Sequence, residues 1–173
     1  MSHVVRIAAA ADLDAVLRVQ AACHAPALLE RAECISSILA HGASFVAFAV
    51  DTAEVVGYAL LHPGASAALG ETVPPPAALA PPHLSFFLHD VAVRPSARGA
   101  GVARQLVLAA LAHARATHAA QVMHLVALPG TGALWSRFGF EPHHDDAFDD
   151  AASYGDGAVH MRALLTDKDA VNG

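Results

Sequence analysis

Residues 84–93, LSFFLHDVAV, run into RPSARGAG and then into an apolar-striped helix over about 101–118. No other feature restricts the fold as much. Ten residues rich in Phe, Leu and Val form a buried strand, and the proline and glycines after it end that strand abruptly. Gly99 and Gly101 let the backbone pass close to a ligand. The first turn of the following helix offers unpaired N–H groups and the positive end of its dipole. Phosphate oxygens are the natural occupant of such a place. Arg94, Arg98 and Arg104 add cationic reach there, although the whole chain carries a formal charge of −6. That acidity argues against a partner bound by neutralising nucleic-acid phosphates.

The rest of the chain alternates strand and helix patterns. Residues 3–8 form a strand, and Asp12 is placed to cap a helix over 13–24. A second helix follows over 28–40, then a hairpin of 44–50 with 55–62. Residues 64–83 hold five prolines among alanines and read as a long surface loop, with a substrate lid as one use for it. Beyond the long helix come a strand at 121–128, a short helix at 131–138 ended by Gly139, an acidic loop at 141–156 and a last strand at 157–165. The order β α α β β β α β α β describes a single α/β domain with a mixed sheet. With 173 residues, 55% of them apolar, one core is well supplied. Cys23 and Cys34 lack a CxxC spacing and read as reduced thiols, and no run is long and apolar enough for a signal peptide or membrane span. The expectation is a cytoplasmic protein with no membrane partner, monomeric or homodimeric.

Two nucleotide loops fail on inspection. A P-loop needs GxxxxGK[ST], and no Lys-Ser/Thr follows these glycines. A dinucleotide fingerprint needs a third glycine and an acidic residue ending a later strand, and QVMHLVAL supplies neither. The segment Arg98-Gly99-Ala100-Gly101-Val102-Ala103 instead resembles the pyrophosphate loop of the GNAT N-acetyltransferases, Q/R-x-x-G-x-G/A after a strand. The likeness extends through the element order and the Trp135…Gly139-Phe140 helix end, nearly the whole chain. It implies a mostly antiparallel central sheet with splayed strands, flanked by helices, over 1–165, and a flexible tail over 166–173. It also implies acetyl-CoA as cosubstrate and no metal. Backbone groups of Val91, Ala92 and Val93 would pair with the pantetheine arm, and amides from Arg98, Gly99, Ala100, Gly101, Val102, Ala103 and Arg104 would hold the pyrophosphate. The strands at 84–93 and 121–128 would part around the thioester.

The implied reaction moves an acetyl group directly to a primary amine, on a small molecule or a protein, through a tetrahedral intermediate. An amine of pKa ~10.4 must first lose a proton. Period-2 alternation puts His89, Val91 and Val93 on one face of the strand and Asp90 and Ala92 on the other. His89 thereby sits near the thioester end, where serotonin N-acetyltransferase, a family member, has a proton-accepting histidine. It is a base or a histidine lining the sheet, and the one histidine of twelve with a position chemistry can use. Asp90 either steers a cationic acceptor or pairs with a neighbour. The family's usual Tyr acid is replaced by Trp135, whose N–H donates a hydrogen bond but no proton, and its frequent upstream Asn is replaced by Leu128-Pro129-Gly130. Tyr154 or Ser136 could stand in for the acid. Trp135 also admits an alternative, an acyl-CoA-binding regulatory module with little or no turnover. His143-His144-Asp145-Asp146 with Asp149-Asp150 lacks the spacing of a structural zinc site and reads as a solvated loop. The negative charge leans towards a cationic small-molecule acceptor.

Overall fold

A seven-stranded sheet forms the centre of the computed structural model, which describes residues 2–64, 68–75, 85–117, 120–144 and 149–165. The strands are β1 (His3–Ile7), β2 (Phe45–Ala49), β3 (Val55–Pro63), β4 (Ser85–Val93), β5 (Val122–Ala127), β6 (Glu141–Pro142) and β7 (Val159–Leu164). Their order in the sheet is β1-β2-β3-β4-β5-β7-β6. Every pairing is antiparallel except β4 with β5. The helices are α1 (Leu13–Cys23), α2 (Ala32–Leu39), α3 (Val102–Ala116) and α4 (Gly132–Ser136).

Strand alternation sorts the core into two layers. On one face, Leu106, Val107, Ala110 and Leu111 of α3 pack with Phe86, Leu88 and Val93 of β4 and Met123 and Leu125 of β5. On the other, Val16 and Val19 of α1 and Ile35 and Ile38 of α2 pack with Val46, Tyr58, Leu60 and Ala92. Both helix sets repeat apolar residues at three and four positions, so each lays one stripe on the sheet.

Two local features differ from the sequence expectation, each for a tertiary reason. Asp12 does not cap α1 through its side chain. Arg6 on β1 holds its carboxylate through two bonds, 2.7 and 2.8 Å, and the same carboxylate accepts the N–H of Ala9 at 2.8 Å. That hydrogen bonding with Arg6 keeps Asp12 below the ordinary carboxylate pKa, despite partial burial. The expected helix over 28–40 is split: a 3-10 turn (Pro26–Leu28) precedes α2. The link between them is pinned to α1 by buried Gln20, which donates to Glu30 O at 3.1 Å and accepts Glu30 N–H at 2.7 Å. The segment read as acidic loop contains β6 and a 3-10 turn (Asp149–Tyr154). Residues 145–148, most of the prolines of the 64–83 loop, and the tail at 166–173 lie outside the described residues.

Gly57 lies where β3 passes beneath α3. A Cβ there would meet Ala92 O at 2.9 Å, Val93 Cγ2 at 3.1 Å and Leu106 Cδ1 at 3.2 Å. Because the nearest atom is backbone, the clash cannot be relieved by a rotamer change. Gly57→Ala is expected to cost about 1–3 kcal/mol of stability, the usual range for overpacking, measured by urea unfolding.

Candidate active site

The parallel pair β4/β5 is short. Register is kept only for Ser85–Phe87 against Val122–His124. Beyond it the strands part, leaving the β5-facing edge of β4 from residue 88 onwards without a strand partner. The opening holds a pocket of about 170 Å³ lined by both strands, including Leu88, Asp90, Leu125 and Val126, and closed by Leu28, Leu134, Trp135 and Tyr154. A second groove adjoins it, lined by Cys23, His24, Val91, Ala92, Val93, Arg98 and Ala103. His24 lines both.

The groove has the features a phosphorylated, amide-rich ligand requires. Gly99 and Gly101 have φ of 81° and 78°, left-handed values that an L side chain rarely takes. Gly101 is the N-cap of α3, and no atom lies within 4 Å of where a Cβ would stand on either glycine. Their need is therefore conformational, with open space left above the helix start. Arg98 and Arg104 are exposed beside it, and the Arg98 guanidinium donates to Val93 O at 3.1 Å. Arg94 is not part of this reach, because Glu54 in the β2–β3 turn holds its side chain. The edge of β4 at residues 91–93 carries no strand and, apart from Val93 O, which Arg98 holds, is open to pair with an extended amide chain as an added strand would.

The catalytic candidates are rearranged by one extra residue. Leu60 pairs with Asp90, but Leu61 pairs with Leu88, so His89 is a bulge. Alternation is reset there. Val91 and Val93 pack towards α3, as Phe86 and Leu88 do, while His89 and Asp90 both reach groups on the α1–α2 side. The expectation that His89 shares a face with Val91 and Val93 is overturned, and the bulge is the cause.

His89 is tied down. Its Nε2 lies 2.9 Å from Glu30 Oε1, with the two side chains only 1% and 3% exposed. Its Nδ1 is buried without a hydrogen-bond partner. Glu30 also accepts the Gly70 N–H, at 3.1 Å to each oxygen. Burial works to raise the Glu30 pKa, but the bonds from His89 and Gly70 prevail and hold it below the ordinary carboxylate value. Gly70 O in turn accepts Cys34 Sγ–H and the Arg31 guanidinium, each at 3.2 Å. These ties fasten the described part of the proline-rich loop over the site, where Leu69 forms part of the pocket wall.

Asp90 pairs with neighbours, one of the two uses open to it. Its Oδ2 accepts the Tyr58 hydroxyl at 2.5 Å and His24 Nε2 at 2.9 Å. The carboxylate raises the His24 pKa above 6.5, against burial and against Arg98. Burial, then the same carboxylate, raises that of Tyr58. His24 was not singled out from sequence, since the partner that gives it a role lies 66 residues away.

Trp135 packs against Phe138 and Phe140 and faces the pocket. Tyr154 reaches the same pocket from its 3-10 turn, with its ring 6.3 Å from that of His89. Ser136 does not reach it; its hydroxyl donates to Gly132 O at 3.2 Å. His143 stands beside β6 against His124 and His160, whose Nδ1 and Nε2 are 3.0 Å apart. Among the described residues no three His, Cys, Asp or Glu side chains converge as a metal site.

A phosphate-ready helix start beside a parted strand pair, opening on a second pocket, is an arrangement suited to an extended phosphorylated ligand whose far end reaches a separate pocket. The sequence profile of the acetyltransferase (GNAT) family matches residues 8–140, and the chain belongs to that family. Solved structures agree on the fold at low identity. The ribosomal-protein-S18-alanine N-acetyltransferase from Escherichia coli superposes with a TM-score of 0.69 at 14% identity, covering 96% of each chain. Rv2747 from Mycobacterium tuberculosis, determined with CoA, gives 0.69 at 19% identity over 94% of this chain and 99% of that one. GphF, a GNAT-like decarboxylase in complex with isobutyryl-CoA, gives 0.70 at 16% identity over 94% and 100%. No curated protein matches the sequence.

His62 lies behind the pocket, its ring 6.0 Å from that of His89. Burial pushes its pKa down to about 4 from 6.5. The unfolded chain therefore takes a proton that the folded one refuses. The stability contribution is complete above about pH 6.5 and is lost as pH falls towards about 4. His62→Gln is expected to flatten the fall in unfolding free energy across that window, measured by urea titration at a series of pH values.

Proposed function

We propose that the protein transfers the acetyl group of acetyl-CoA to a primary amine held in the apolar pocket. The observation that carries this is the continuity of the two grooves at the parting of β4 from β5. The residues fit the cosubstrate: Gly99, Gly101 and the following amides of α3 for the pyrophosphate, Arg98 and Arg104 for its charge, and the β4 edge at Val91, Ala92 and Val93 for the pantetheine amides. Acetyl-CoA supplies an activated carbonyl, which backbone N–H groups near Val91 would polarise.

The acceptor pocket is walled mainly by Leu28, Leu69, Leu125, Leu134 and Trp135, so it favours an amine on a small apolar or aromatic chain. The net negative charge had leaned towards a cationic acceptor. Both carboxylates at this pocket are instead occupied, Glu30 by His89 and Asp90 by His24 and Tyr58. Tyr154, not Trp135, is the phenol able to return a proton to the leaving sulfur. His89, walled in by Glu30, has a proton-accepting role only where the pair opens.

Thiol release from acetyl-CoA with 2-phenylethylamine, hexylamine, spermidine and a short peptide tests the reading, with turnover expected for the first two. CoA binding without turnover across the panel would favour a binding module, the reading that Trp135 admits. Gly101→Glu places a carboxylate at a left-handed position facing the phosphates. It is expected to weaken CoA binding by about a hundredfold (~2.8 kcal/mol). Titration calorimetry measures this, with Gly101→Ala separating backbone strain from charge.

A further inference from the structure

Three groups outside the expected machinery stand out: the His124–His143–His160 cluster, the Glu30–Gly70 strap and the His24–Asp90–Tyr58 chain. The imidazole cluster is not part of the pocket lining, and among the described residues it forms no group that could hold a metal ion. The strap is a fastening. The third group has chemistry left over.

We propose that His24, oriented by Asp90, is the residue that takes the proton from the acceptor amine. The proposal rests on the acetyl-transfer reading above. Asp90 Oδ2 accepts from His24 Nε2, so the neutral imidazole carries its hydrogen on Nε2 and its lone pair on Nδ1. Tyr58 donates to the same oxygen and fixes the carboxylate. A carboxylate holding one ring nitrogen so that the other can accept a proton is the arrangement by which an Asp sets the tautomer of a catalytic histidine.

Position separates His24 from His89. The His24 side chain is 17% exposed and lines both the cofactor groove and the acceptor pocket, the junction where an amine would meet a thioester. That of His89 is 1% exposed, with one nitrogen on Glu30 and the other buried. His24 is also the C-cap of α1, its N–H bonded to Gln20 O at 3.0 Å, where the helix dipole favours a cationic ring. The charged and titratable groups around it are Asp90 on β4, Arg98 in the glycine loop, Cys23 on α1 and Tyr58 on β3, with Glu30, His89 and Tyr154 on the same pocket wall. Asp90 favours the protonated ring and Arg98 opposes it.

In the step, the amine's proton passes to His24 Nδ1. The nitrogen lone pair forms the C–N bond to the thioester carbonyl carbon, the C–S electron pair leaves on sulfur, and the second proton that the nitrogen sheds in becoming an amide passes to that sulfur. Ammonium plus thioester gives amide plus thiol, with one proton released to solvent when His24 is reset.

The base must be neutral to act, so activity falls as pH drops through the raised His24 pKa. The experiment measures kcat/KM against pH with acetyl-CoA and 2-phenylethylamine for the wild type, His24→Gln, Asp90→Asn and His89→Gln. Alongside it, ¹⁵N-histidine NMR follows the His24 ring. His24→Gln is expected to lose about 10²–10⁴-fold in kcat and to lose the acidic limb, while binding CoA within a few-fold of wild type. Asp90→Asn should move the acidic limb, and the NMR titration of His24, to lower pH together. His89→Gln should keep the limb where it is. A limb that survives in His24→Gln but vanishes in His89→Gln would overturn the assignment. So would a neutral ring protonated on Nδ1. Absence of wild-type turnover with every amine would instead sink the transfer reading itself, a result distinct from turnover that ignores His24.

Discussion

One additional residue in β4 governs the site. Where Leu60 faces Asp90 and Leu61 faces Leu88, His89 has no opposite number on β3. A regular strand would turn adjacent side chains to opposite faces. The bulge lets two consecutive polar residues reach the same side, where the α1–α2 link supplies Glu30 for one and His24 for the other. The same stretch of β4 is where pairing with β5 has already stopped. The polar corner made by the bulge and the free edge therefore lie side by side on β4.

The buried pairs show how such a corner is tolerated in an otherwise apolar core. An isolated carboxylate there would be costly, whereas one that collects several donors has the cost of its burial offset. Glu30 collects His89 and the Gly70 amide; Asp90 collects His24 and Tyr58. Each carboxylate bridges segments that no local interaction would join, so these polar groups fix the geometry of the loops around them.

Much of this was legible in the sequence. The glycine loop, the helix after it and the hairpin before it rest on local rules, and they fall within a residue or two of where those rules put them. The pairing of Asp90 is one of the two readings the sequence offers, and of its two stand-ins for the missing acid, Tyr154 and Ser136, only Tyr154 lines the pocket. What stayed hidden depends on long separations. A bulge leaves no mark in the apolar pattern of LSFFLHDVAV, so strand alternation alone puts His89 on the wrong face. His24 looks like any helix-end histidine until Asp90 arrives beside it, and Arg94 looks free until Glu54 claims it. Two-residue β6 is too short to carry a periodicity at all.

The two grooves meet at His24 yet are walled by different stretches of chain. Residues 91–104 make most of the donor side; Leu28, Leu69, the end of β5, α4 and the turn bearing Tyr154 make the other. Most of that second set sits on short helices and connecting segments, outside the paired region of the sheet. Sequence change there would reshape the apolar pocket while leaving the groove beside the glycine loop intact. The architecture is thus divided, along the line where β4 and β5 part, into a half fixed by the sheet and the glycine loop and a half built from short connecting segments.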